Sequence, residues 1–334
     1  DVLFLYLANG ITTVRGMLGA EGQLELRSRA NSRTIPAPNL YLAGPSFNGG
    51  SVHSPQQARE MVAAQVAEGW NLLKIHPGMT LPEYDAMAQA AHTHGIRFGG
   101  HVPSEVGLHR ALVAGQETFD HIDGYVSHLN GKADKAKLDA IVQQSRAAGA
   151  WIVPTMALWE VLFGTRQLAE LKQYPELRYM PKQTVSSWID RVEARQNDPE
   201  FDAENASAHI ALRIEILAAL SAGGVKILMG TDAPQVFSVP GFSLHRELER
   251  MSAAGMSRYE ILVSGTRRVG EYFANEDRFG LIAPGHRADL ILVEGNPLDS
   301  LEHLAQPSGV MVGGNWWPRE KLEAGLLAIE QRHR

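Results

Sequence analysis

Residues 54–101 read SPQQAREMVAAQVAEGWNLLKIHPGMTLPEYDAMAQAAHTHGIRFGGH, and this stretch decides the fold. Ser54–Glu68 has the marks of a helix start, a Ser in the capping position followed by Pro in the first turn. Asn71–Ile75 (NLLKI) is a short apolar run suited to a strand. Leu81–His94 is helical again and stops at Gly95, and Ile96–His101 (IRFGGH) is a second strand. Helix, strand, helix, strand is the alternation of a parallel sheet covered by helices. The same alternation extends outward. Ile11–Arg15 and Asn39–Ala43 are strand-like upstream, and Thr118–His121, Trp151–Pro154 and Val225–Gly230 downstream, seven runs in all.

An eight-stranded TIM barrel needs one more strand, and nothing after Gly230 supplies a parallel candidate. The expected fold is therefore α/β, a TIM (β/α)8 barrel whose first strand lies before Asp1. The opening DVLFLYLANG reads as the end of a helix closed by Gly10, which also points upstream. A sheet lacking one strand has two unpaired edges, so this chain alone is expected to be unstable or prone to aggregate. Ala157–Leu220 is too long for one βα unit and rich in helix formers; it reads as a helical excursion over the barrel mouth. From Phe279 the pattern changes to alternating apolar residues and turns, repeated at Val310–Trp317 (VMVGGNWW), and Pro318–Gln331 closes as a helix. The organisation expected is a barrel domain over 1–278 holding strands 2–8, part of a small β-sandwich over 279–317, and a C-terminal helix over 318–334.

The 334 residues suffice for one barrel and a small accessory unit. Hydrophobic residues make up 44% and charged residues 20%, with a net charge of −6. There is no basic stripe, so nucleic acid is not an expected partner, and no apolar run is long enough to span a bilayer. The first residues lack the basic segment of a signal peptide. With no cysteine in the chain, any metal must be held by nitrogen and oxygen.

The C-terminal ends of barrel strands face the active site. Four polar side chains stand at such ends: Lys74, His101, His121 and Asp232. Alone, Lys74 would be an ordinary strand-end lysine in a salt bridge, and His101 a satisfied core histidine. Together, two imidazoles and a carboxylate suit zinc and its neighbours. A bound cation acidifies water to a pKa of about 7, and Asp232 is placed to act as the catalytic proton carrier. His76, two residues past Lys74, and Tyr125, in the loop after His121, are candidate substrate contacts. His92-Thr93-His94 is a His-x-His pair, but at a helix end before a strand it falls on the opposite face of the barrel.

An ordered set of motifs resembles the amidohydrolase superfamily, in its imidazolonepropionase- and prolidase-like branch. They are GITTVRG at Gly10–Gly16, LLKIHPG at Leu72–Gly78, GHVP at Gly100–Pro103, DHIDGY at Asp120–Tyr125, GTDAP at Gly230–Pro234, FSLHREL at Phe242–Leu248 and PGHRADLILVEGNPL at Pro284–Leu298. The resemblance implies a metal-dependent hydrolase of small molecules that cleaves a C–N bond in an amide, dipeptide or cyclic amide. It implies one or two divalent ions, zinc first, with Lys74 carbamylated and bridging them. His101 and His121 would be ligands to the second ion, and Asp232 both ligand and proton shuttle. The Pro284–Leu298 motif would belong to the small β-sandwich. Relatives with LLKIHPG-like motifs are often exported, which leans the expected compartment toward the periplasm or beyond; a homo-oligomer is compatible. The chain departs from the pattern twice. No His-x-His pair precedes Ile11, and Arg15 is followed by Gly16 where the family often has Asp. The alternatives are a lactonase or phosphotriesterase-like hydrolase on the same site, and a non-catalytic scaffold homologue without the strand-one histidines.

Overall fold

The computed structural model describes residues 1–334. Seven short parallel strands run in chain order: β1 (Thr13–Gly16), β2 (Asn39–Leu42), β3 (Leu72–Ile75), β4 (Arg97–Gly100), β5 (Thr118–Asp120), β6 (Trp151–Val153) and β7 (Lys226–Ile227). β1 pairs with β2, and β3 through β7 pair in sequence. Bridges from Ala43 to Leu72 and from Phe47 to Ile75 join the two sets, so all seven form one arc. This is the strand order of a TIM-type barrel, open between β7 and β1.

The strands lie where the apolar runs place them, each shortened by one or more residues, and the first shifted to end at Gly16 rather than Arg15. The largest correction is β7, expected over Val225–Gly230 and only two residues long. Leu228 N–H still donates to Ile152, but Met229 N–H turns to the Ser264 carbonyl, so the chain leaves the ladder there. The helix over Pro55–Glu68 is capped by Ser54, whose side chain accepts from Gln57 N–H. The helix over Leu81–His94 ends at Gly95 in the left-handed region, which glycine enters without a Cβ clash. These helices pack their buried alanines, Val62, Met87 and Tyr84 against β3 and β4, within a core of 41 residues.

The excursion after β6 holds helices Met156–Leu162, Leu168–Leu171, Pro175–Tyr179 and Lys182–Gln196, then the long Ala203–Ala222 helix that leads to β7. It has a core of its own. Val161, Leu171, Tyr179, Trp188 and Val192 pack with Leu5 of the first helix, Phe237 after β7 and Ile329 of the last helix. The excursion is thereby tied to both chain ends. The C-terminal unit is one antiparallel layer, β8 (Leu290–Leu292), β9 (Gly309–Val312) and β10 (Asn315–Pro318), in the order β10-β9-β8. Gly313 and Gly314, both at positive φ, make the two-residue turn between β9 and β10. Val310 and Val312 pack under Leu7, Ala8 and Leu322, which anchors the layer to the first and last helices. That last helix runs Arg319–His333. No helix is long and apolar enough to cross a membrane.

Candidate active site

The strand ends collect the charged groups. Lys74 is the third residue of β3 and is buried. Beside it β4 ends in Gly100, whose φ of 131° and close approach leave no room for a side chain: a Cβ there would overlap the Ile75 carbonyl oxygen and stand 2.9 Å from Lys74 Cδ. Lys74 Nζ donates to Asp120 Oδ2 at 2.7 Å, and Arg15 Nη2 meets the other oxygen of Asp120 at 3.2 Å. Burial works against the Asp120 charge, yet Lys74 and Arg15 hold its carboxyl well below the usual range. Lys74 thus makes the salt bridge that an unmodified lysine makes.

His101 and His121 follow β4 and β5 directly and remain bonded to the ladder, donating to the carbonyls of Ile75 (3.0 Å) and Val153 (2.8 Å). Their ring centroids are 4.5 Å apart. Each ring has one nitrogen engaged: His101 Nδ1 with Asp123 Oδ2 at 2.5 Å, and His121 Nδ1 with Thr155 Oγ1 at 2.7 Å. A partner on one ring nitrogen fixes the tautomer and aims the other nitrogen, the arrangement usual for histidines that ligate metals. Burial pushes His121 down to about 3, against the pull of Asp120, so its imidazole is neutral at ordinary pH. His76 stands 5.0 Å from His101, ring to ring, and burial together with Lys74 and His101 lowers it to about 4.

Asp232 lies in the turn after β7 at φ 58°. Its Oδ2 is 3.9 Å from His121 Nε2 and accepts from Gln235 Nε2 at 2.9 Å. Burial raises its pKa, with Lys74 opposing and Asp120 reinforcing. Tyr6 of the first helix donates to the neighbouring Ala233 carbonyl at 2.5 Å, so the chain's first helix braces the Asp232 turn.

His76, His101, His121, Asp232 and Lys74 therefore gather at one end of the sheet. Tyr125 does not join them. Its side chain is fully buried and its hydroxyl is bonded to Ser145 Oγ at 2.8 Å, with the ring against Phe119. It is a packed core aromatic, and no substrate contact is open to it. His92 bonds the Ala114 carbonyl at 2.9 Å, away from the strand ends. Asp120, Asp123, Thr155, Gln235 and Tyr6 were not assigned from sequence. Two of them sit inside DHIDGY, where an acid next to a strand-end histidine was the available signal.

The donor set agrees with a divalent cation in its chemistry: two imidazoles with one nitrogen each left free, and a carboxylate whose burial disfavours its charge until a cation balances it. The 3.9 Å between His121 Nε2 and Asp232 Oδ2 is within reach of two bonds of about 2.0–2.2 Å to one ion. No group of three or more His, Cys, Asp or Glu side chains is arranged to hold a metal, so His101 stands beside this pair without closing a three-ligand set.

The fold, with its polar side chains gathered at the strand ends, is that of a TIM-type α/β barrel. The profile of the amidohydrolase family matches residues 6–317, and the chain belongs to that family, hydrolases that act on carbon–nitrogen bonds. Among solved structures, a bottromycin amidohydrolase is similar with a TM-score of 0.82 and 23% identity, over 99% of this chain and 76% of its own. A Xaa-Pro dipeptidase with bound methionine in its active site gives 0.70 and 21%, over 95% and 77%. Ochratoxinase from A. niger gives 0.69 and 19%, over 95% and 74%. At these identities the likeness is one of fold. The comparison with curated proteins gives no match.

Proposed function

We propose that the chain hydrolyses an amide, dipeptide or cyclic amide with a divalent cation, zinc first, held by His101, His121, Asp232 and Lys74. The observation that carries this is the pair of adjacent histidines, each with one ring nitrogen tied back by Asp123 or Thr155, with His121 facing the Asp232 carboxylate. A cation bound there would polarise the scissile carbonyl and acidify a water. Asp232, oriented by Gln235, accepts a proton from the attacking water and delivers it to the leaving nitrogen. His121, neutral through burial, keeps its Nε2 lone pair for a ligand. His76 borders the site beside His101 and is the substrate contact we retain.

Lys74 enters as a carbamate only if the Asp120 salt bridge gives way, since two anions would then share one buried space. Carbamylation and cation binding are therefore coupled, and cation uptake should rise with bicarbonate. The names of two structural neighbours, an amidohydrolase and a dipeptidase, favour amide and dipeptide bonds over esters.

The test is a panel of N-acyl amino acids, dipeptides, cyclic imides and matched esters, run with zinc, manganese or cobalt and after chelation. Cation-dependent turnover of amides is expected, and Asp232→Asn should lower kcat/KM by about 10²–10⁴-fold. Turnover of esters alone would favour the lactonase alternative. No cation uptake and no turnover would remove the catalytic reading.

A further inference from the structure

The excursion carries a buried cation for which the protein supplies no free counter-ion. Arg213, on the Ala203–Ala222 helix, is 3% exposed. Its Nη1 donates to the His121 carbonyl. Its guanidinium lies over the rings of Trp159 and Phe163, 4.2 and 5.5 Å from their centroids. Its Nε has no partner. The acid that acts on it through space is Asp123, which is already bound to His101. Burial lowers the Arg213 pKa to about 10, so it stays charged at neutral pH.

Two more nitrogens around this group are buried without partners, Trp159 Nε1 and His209 Nδ1. They belong to one aromatic box. Trp159 and Phe163 are 5.4 Å apart, His209 stacks on Phe163 at 5.4 Å, and Trp159 is 5.8 Å from His121. Trp159, Phe163 and His209 each keep part of the ring at the surface, while the unpartnered nitrogens lie buried beneath. Holding one backbone carbonyl would need only a neutral donor. Burying a full charge with an unused N–H is costly unless an anion completes it.

We propose that Arg213, Trp159 and His209 form a carboxylate subsite beside His121, so that the substrate is an amide carrying a free carboxylate, an N-acyl amino acid or a dipeptide. This rests on the hydrolase reading above and narrows its substrate class. In such a substrate a single carbon separates the carboxylate from the amide nitrogen. A carboxylate held on Arg213 and Trp159 brings that amide toward the His121 ring, which stands 5.8 Å from the Trp159 ring. The guanidinium is the group suited to this, a planar set of donors that matches a carboxylate.

The experiment compares a panel of N-acetyl-L-amino acids and dipeptides with the same compounds as C-terminal amides, on the full chain. The free acids should react at least about 100-fold faster in kcat/KM. Arg213→Gln, which also frees the His121 carbonyl and so slows both series, should lower the acid-to-amide ratio of kcat/KM by about 30–100-fold. Trp159→Phe, which keeps the ring and removes the donor, should lower the acid-to-amide ratio by about 3–10-fold. Calorimetry with the same N-acetyl-L-amino acids and their amides reads binding without turnover. Tighter binding of the acids that is lost in Arg213→Gln supports the subsite even if no amide bond is cleaved, in which case the hydrolase reading fails alone. Equal rates for acids and amides, equal losses on both in Arg213→Gln, or no Arg213-dependent binding of any acid would overturn the subsite.

Discussion

Replacing Asp120 by Asn is the sharpest test of how the strand ends are held. Asp120 is 3% exposed, and its two oxygens are divided between Lys74 (2.7 Å) and Arg15 (3.2 Å). Asn keeps the shape and removes the charge. Lys74 then has no carboxylate, and Arg15 keeps only Thr118 Oγ1 at 3.0 Å and the face of Tyr272 at 5.6 Å. Breaking a buried pair from one side costs about 3–5 kcal/mol, because it strands the opposite charge. Lys74→Met should cost less, about 1–3 kcal/mol, because Asp120 retains Arg15. The double variant should be more stable than Asp120→Asn alone, with a coupling of about 1–3 kcal/mol. Equilibrium urea unfolding of the four proteins measures this. The pH dependence has a fixed sign. The folded-state pKa of Asp120 is depressed, so its stabilisation is complete above the unfolded value of about 3.9 and is lost only as pH falls through the lower folded value. The wild type should therefore show an acid limb below about pH 4 that the Asn variant lacks. An Asn variant within 1 kcal/mol of wild type, or a double variant no more stable than it, would refute the argument.

Thr155→Val removes the hydroxyl on His121 Nδ1 while keeping a β-branched side chain at the same backbone angle. Zinc affinity measured by calorimetry should fall by about 10–100-fold, and an unchanged affinity would mean that His121 is aimed by something else. Glu247 is fully buried and accepts from the N–H groups of Met156 and Ala157, each at 2.9 Å, at the start of the helix that follows Thr155. Burial raises its pKa to about 7 against those hydrogen bonds. A raised carboxyl pKa means that the folded state keeps a proton that the unfolded chain loses above about 4.5, so stability should fall by about 1–3 kcal/mol as pH rises from 4.5 through 7. Glu247→Gln should flatten that slope in urea titrations at pH 5 and pH 8; equal slopes would contradict it.

The order of strands and helices was legible because each apolar run is bounded by glycine, proline or a helix cap, which are local signals. The end of β7 was not, because the partner of Met229 N–H is the carbonyl of Ser264, far along the chain. Lys74, His101, His121 and Asp232 could be gathered in advance because strand ends in a parallel barrel share one face. The residues that orient them could not. Thr155 reaches His121 from the next strand over, and Tyr6 reaches Ala233 across 227 positions. The wrong placement of Tyr125 has a similar cause. After β5 the chain turns at once into the Asp123–His128 helix, and that helix points Tyr125 toward Ser145 on the Lys135–Ala147 helix, away from the strand ends.

The backbone adds an argument independent of the side-chain chemistry. Seven non-glycine residues have positive φ, and five of them, His121, Ile122, Thr155, Asp232 and Phe237, follow β5, β6 and β7. Such a conformation costs of order 1–3 kcal/mol where a bulky or branched residue adopts it. At Gly100, where φ is 131°, the approach is close and no side chain is used, the chain has glycine. At the other three turns glycine would relieve the strain but would also remove an imidazole, the hydroxyl that aims it, and a carboxylate. The strained positions are held by Arg213 on the His121 carbonyl, by Thr155 on the His121 ring, and by Gln235 on Asp232. Three adjacent turns keep side chains that a relaxed backbone would not, and those side chains are the ones the proposed chemistry needs.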